Sequence, residues 1–220
     1  KEYNELTQLL WEEGVRRFHI DVGDGKFISR KVSGLEKAHY IRQTFPEAIL
    51  HCHLMVDNPN YTSDGSPSFI EQYIGAGCNG IAIHERSFIN EEGFHFACEH
   101  IRELGARAGI IIETSETLDA NLEQLLLKTE LDWVVVMGVP VGFGGQIFDM
   151  SSLKRIAWVH NFSITHNKPV LIEVDGGLTL ENISLSKNSG AQIFSGWSII
   201  KSDSTSIVRQ NVQQLKKAIT

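Results

Sequence analysis

Apolar residues recur in short, nearly continuous runs, and each run is followed by a stretch in which they fall at helical spacing. The runs cover residues 15–21, 48–54, 80–84, 106–112, 133–137, 169–175 and 192–195. Runs this short and this apolar suit strands covered on both faces. The intervening stretches predict helices near 68–74, 95–104, 118–127, 153–159 and 204–219, and an amphipathic, exposed helix over 1–13. Strand–helix alternation predicts a parallel sheet with helices outside it, either open and doubly wound or closed as a barrel. No linker interrupts the pattern, so residues 1–220 are expected to form one domain. Seven strands are one short of an eight-stranded barrel, and a gap would leave two bare sheet edges. The first strand is therefore expected to lie before Lys1, missing from this chain.

Polar residues enter these runs at their C-terminal ends. His19 and Asp21 are two apart, as are His51 and His53, and Glu173 and Asp175, so each pair shares a strand face. In parallel α/β folds, functional groups collect at the C-terminal ends of strands. An open sheet would spread these three ends across its width, whereas a barrel brings them to one mouth. One such histidine alone would read as a hydrogen-bonded rim residue. Two His and two Asp converging make a site for a divalent metal such as Zn²⁺. Glu173 and His51 lie one layer deeper, where a carboxylate is costly unless paired. Glu173 is therefore expected to accept a hydrogen bond from a metal-binding His or to pair with Arg17. Strand irregularity that turned it outward is the alternative. His84-Glu85 reads as a packed strand end, and Asp24-Gly25 as a turn.

Glycine-rich loops follow the late strands: Gly142-Phe143-Gly144-Gly145, Gly176-Gly177 and Ser195-Gly196-Trp197. Such loops let backbone N–H groups approach an anion, and loops at these positions of a barrel hold phosphate. Neither GxGxxG nor a P-loop lysine is present, which disfavours a nucleotide. The net charge of −7 argues against nucleic acid as a partner. No apolar run approaches the ~20 residues of a membrane span. Three cysteines without a CxxC pair suit a reducing cytoplasm.

Together these segments resemble the ribulose-phosphate 3-epimerase family along nearly the whole chain. The residues that carry the likeness are His19-Ile20-Asp21-Val22-Gly23-Asp24-Gly25-Lys26-Phe27, His53-Leu54-Met55-Val56, Gly142-Phe143-Gly144-Gly145-Gln146 and Val174-Asp175-Gly176-Gly177. The resemblance implies a (β/α)₈ TIM barrel of the ribulose-phosphate-binding type and one divalent cation, Zn²⁺ first, with Fe²⁺, Mn²⁺ or Co²⁺ also admitted. The implied ligands are His19, Asp21, His53 and Asp175. Asp21 and Asp175 would be the acid/base pair inverting C3 of a phosphorylated ketose through an enediolate. His53, Gly142, Phe143, Gly144, Gly145, Gly176, Gly177, Gly196 and Trp197 would line the sugar and its phosphate, and a homo-oligomer is implied. The chain departs from the family pattern at Gly23, Ser29-Arg30, Pro140-Val141 and Trp197. Gly23, standing where the family has Met, would make room for a six-carbon ketose phosphate, so hexulose-6-phosphate 3-epimerization is an alternative. A non-catalytic phosphosugar-binding barrel is another. A decarboxylase or synthase would need a Lys beside the strand-end carboxylates, and the strand ending in Asp175 offers none.

Overall fold

The strands alternate with helices along the chain, as the apolar pattern requires. The computed structural model describes residues 2–61 and 65–219. After helix α1 (Glu2–Glu12) come β1 (Arg17–Asp24), β2 (Lys31–Val32), α2 (Leu35–Thr44), β3 (Ile49–Met55) and α3 (Phe69–Gly75). They are followed by β4 (Gly80–Ile83), α4 (Glu91–Glu103), β5 (Arg107–Ile112), α5 (Ala120–Lys128) and β6 (Trp133–Met137). The chain ends in α6 (Ser152–Thr165), β7 (Leu171–Asp175), α7 (Leu180–Asn188), β8 (Ile193–Ser195), α8 (Trp197–Ile200) and α9 (Thr205–Ile219). Local signals start the helices. Ser68 with Glu71 forms a capping box at α3, Thr179 with Asn182 does so at α7, and Asp119 accepts the first free N–H groups of α5.

One sheet runs in the order β2-β1-β3-β4-β5-β6-β7-β8. Every ladder is parallel except that of β2, which turns back antiparallel on the end of β1. The seven expected parallel strands are thus all present, and the eighth strand of the sheet is this short hairpin arm rather than a further parallel one. Among the described residues no ladder joins β8 to β1. The sheet is nevertheless curled far enough to bring Ser195 Oγ on β8 to 3.4 Å from His19 Nδ1 on β1.

The main core fills the space between sheet and helices, with Ile20, Leu50, Ile81, Ile110, Val134 and Ile172 pointing outward into it. A smaller cluster occupies the inside of the curl: Ala82, Ile111, Trp133, Val135 and Met137. Trp133 forms its floor, 1% exposed. Gly80 and Gly109 make the room, since a Cβ there would stand 2.3 and 2.7 Å from the indole. Truncating Trp133 to Ala is expected to cost about 3–5 kcal/mol, read as a drop in the urea midpoint.

The N-terminal helix is not simply exposed. Leu9 and Leu10 are buried, and Arg209 of α9 binds Glu12 and Glu13. The remaining helices extend or shift the expected bounds, and α2 and α7 are additions to them.

Candidate active site

Strand register sets the site. Asp21 on β1 stands opposite His53 on β3, and Asp175 on β7 lies between Met137 on β6 and Ser195 on β8. Period-two alternation turns all four polar residues into the mouth of the curl. His19 Nε2 lies 3.2 Å from Asp21 Oδ1 and 3.6 Å from Asp175 Oδ2. His53 Nδ1 lies 3.4 and 3.8 Å from the same two oxygens. One ligating atom from each of the four residues falls within 4.8 Å of all the others. The two carboxylates and the two imidazoles therefore face one another closely enough to share a single ion.

The donors suit a divalent cation. Two imidazole nitrogens and two carboxylate oxygens are hard-to-borderline ligands at tetrahedral count. His19 Nε2 and His53 Nδ1 are buried and make no aligned hydrogen bond among the described residues. They are the nitrogens that face the carboxylates. The cluster calls for positive charge. Burial works against protonation of His19, but Asp175, Asp21 and Glu173 outweigh it and hold the ring well above its usual range. His53 is raised against its burial in the same way, by Asp175 and Asp21. Burial tends to raise Asp21, but His19 and His53 outweigh it and hold the carboxyl far below the carboxylate range. A cation bound here would replace those protons.

Beneath this layer, Glu173 is 1% exposed. Its Oε1 accepts from His19 Nδ1 at 2.8 Å and from Ser195 Oγ at 2.5 Å, and its Oε2 accepts from His51 Nδ1 at 3.1 Å. Arg17 reaches the carboxylate only through His51, donating to Nε2 at 3.2 Å. His51 also stacks on Trp133, with ring centroids 4.5 Å apart. With its Nδ1 proton held by Glu173, His19 would present the Nε2 lone pair to a cation that displaced the other proton, an arrangement common among metal-binding histidines.

His84 is more than a packed strand end. Its Nε2 lies 2.9 Å from His53 Nε2, and its Nδ1 lies 2.7 Å from Glu113 Oε1. Arg86 Nε donates to that same oxygen at 2.5 Å. Burial pushes His84 down to about 4, leaving it uncharged at neutral pH. Burial alone would raise Glu113, yet His84 and Arg86 bring it down to about 2. The sequence does carry a signal for both. His84 follows Ala82 by two residues, and Glu113 follows Ile111 by two, each one residue past the end of β4 or β5 and in line with its inward face.

The loops after the late strands stand around the mouth. A Cβ at Gly144 or Gly145 would meet nothing within 4 Å, so that loop borders open space. At Gly177 (φ +67°) a Cβ would come within 2.8 Å of the Phe148 backbone and Val139, so this glycine is fixed by packing as well as by its turn. Phe143 and Trp197 are 64% and 53% exposed. Gly23 does not open space. A Cβ there would lie 2.7 Å from both Ile28 Cδ1 and the Arg30 carbonyl, so the β1–β2 hairpin has filled the volume that the residue type vacates. Asp24 holds this hairpin, accepting from the backbone N–H groups of Lys26, Phe27 and Asp57.

Among the described residues no helix is long and apolar enough to cross a membrane. Comparison with known proteins places this geometry in a family. The model of the ribulose-phosphate 3 epimerase family matches residues 1–200. The ribulose-phosphate 3-epimerase of Aquifex aeolicus is 32% identical over 189 residues, which cover 86% of this chain and 79% of that protein. The cytoplasmic isoform from Oryza sativa subsp. japonica is 28% identical over 188 residues, 84% of this chain and 76% of its own. Among solved structures, a 3-hexulose-6-phosphate synthase superposes with a TM-score of 0.66 at 14% identity, covering 98% of this chain and 92% of that one. At that identity the likeness is one of fold, and it agrees with a (β/α)₈ barrel. The family match over most of the chain, and a relative 32% identical over 86% of it, assign it: this chain belongs to the ribulose-phosphate 3 epimerase family and is an isomerase.

Proposed function

We propose that the enzyme inverts C3 of ribulose 5-phosphate to give xylulose 5-phosphate, using Asp21 and Asp175 as the proton-transferring pair. The observation that carries this reading is the gathering of two carboxylates and two imidazoles within 4.8 Å at the mouth. A hydrogen next to a ketone is too weak an acid for a free carboxylate to remove at a useful rate. A divalent cation held by His19, Asp21, His53 and Asp175 would supply Lewis acidity toward the ketone and its neighbouring hydroxyl oxygen. Inversion needs a proton taken on one face and delivered on the other. Asp21 on β1 removes it in one direction while Asp175 on β7 delivers, and the roles exchange in reverse. Backbone N–H groups of residues 142–145, 176–177 and 196–197 hold the phosphate, and His53 and Phe143 border the sugar. Trp197 brings no hydroxyl, so its backbone N–H alone serves. Buried free Cys52, Cys78 and Cys98 fit a cytoplasmic setting.

The packing of Ile28 against Gly23 removes the ground for preferring a six-carbon substrate. Incubating the metal-loaded protein with ribulose 5-phosphate in D₂O is expected to place deuterium at C3 of both epimers, with allulose 6-phosphate reacting more slowly. Binding of the sugar phosphate without exchange would replace this reading by that of a phosphosugar-binding barrel. Removing the metal with a chelator is expected to abolish the exchange, and adding it back to restore it.

A further inference from the structure

The arrangement behind His53 has a direction. Glu113 Oε1 stands 2.7 Å from His84 Nδ1. The approach is bent from the ideal N–H axis. Beside an anionic oxygen at that distance Nδ1 of His84 carries a proton, and a cation on His53 Nδ1 would leave that ring its one proton on Nε2, aimed at His84. His84 Nε2 is then an acceptor. His53 Nε2, 2.9 Å away, must carry the proton between them. The proton on His53 Nδ1, the nitrogen facing Asp21 and Asp175, is then the one that a cation would replace, freeing that lone pair. The opposite tautomer of His84 would reverse every step and keep a proton on the nitrogen that should bind the cation. The relay is shielded. His84 is 1% exposed, the Phe27 ring lies 4.6 Å from its imidazole, and Arg86 covers Phe27 with its Cζ 3.8 Å from the ring centroid.

We propose that Glu113, held by Arg86, is a positioning residue that fixes the tautomer of His84 and through it exposes the His53 Nδ1 lone pair to the cation. This deepens the metal reading above and rests on it. It gives the second histidine ligand what Glu173 gives the first: a carboxylate that decides which ring nitrogen is free. For His53 that carboxylate acts through an intervening imidazole.

The test uses the full chain with and without Co²⁺. In the metal-free parent, ring ¹⁵N shifts are expected to show His84 protonated on Nδ1 alone and a proton on His53 Nε2. In Glu113→Gln the amide can donate as well as accept, so the His84 shifts are expected to move toward averaged values. The affinity for Co²⁺, followed by its visible absorption, should weaken about 10–100-fold. Glu113→Asp, which keeps the charge, should lie between the two. General destabilisation would not move the ring shifts. His84 protonated on Nε2 in the parent, or Glu113→Gln matching the parent in both shifts and cobalt affinity, would overturn the relay. A parent that binds no cobalt while His84 shows the stated tautomer would overturn the metal reading instead.

Discussion

Asp175→Asn is expected to slow interconversion of ribulose 5-phosphate and xylulose 5-phosphate about 10²–10⁴-fold, the usual worth of a positioned acid or base. The substitution is isosteric and keeps an oxygen where Oδ2 now stands 3.6 Å from His19 Nε2, so cation binding should weaken far less than turnover. The informative readout is partial exchange. Asp21 remains at the mouth, so the epimer whose C3 hydrogen faces Asp21 should still wash in deuterium without inverting. Asp21→Asn should show the mirror pattern with the other epimer. If either variant epimerises at the parental rate, the two-carboxylate mechanism is wrong.

The second large effect is expected from Glu173→Gln, at a residue that never meets the sugar. The carboxylate accepts from three donors: His19, His51 and Ser195. Glutamine has one acceptor oxygen, and its amide hydrogens would face a donor. One imidazole must then lose its partner or change tautomer, and if His19 changes, an N–H points at the metal position. Cation affinity should fall about 10–100-fold, and unfolding free energy at neutral pH by about 1–3 kcal/mol for the unsatisfied buried donor. The pH dependence has a definite sign. Burial would raise the Glu173 carboxyl, but His19 and His51 hold it far below the carboxylate range in the folded state. Its stabilisation is therefore present above the unfolded carboxylate value near ~4.3 and is lost as pH falls toward the folded one. The gap between parent and variant should be widest near neutrality and narrow in acid, as urea titrations at several pH values would show.

Much of this could be read from the chain because period-two alternation is a local rule. His19, Asp21, His53, Glu173 and Asp175 each sit an even number of residues from one another on their own strands, so their common face follows from spacing alone. What spacing does not carry is which strands are neighbours. His84 and Glu113 obey the same rule just past the ends of β4 and β5, yet their meaning comes from the β3-β4-β5 adjacency, which only the assembled sheet supplies. Gly23 is the converse case. The residue type suggests vacant volume, and only the turn-back of β2 puts Ile28 into it. Helix α2 was obscure for a simpler reason: it buries only Ala38 and Ile41, too sparse a stripe to stand out against its charged neighbours.

The indole of Trp133, wedged against Gly80 and Gly109, closes the base of the curl and leaves the mouth as the way in. Solvent and reactant must share that entrance. Once a ketose lies across the rim it acts as a stopper, and a hydrogen lifted from its carbon has no exit through the base. Isotope scrambling with bulk water is then timed by how often the stopper lifts, which ties label loss to departure of the sugar rather than to the bond-breaking event.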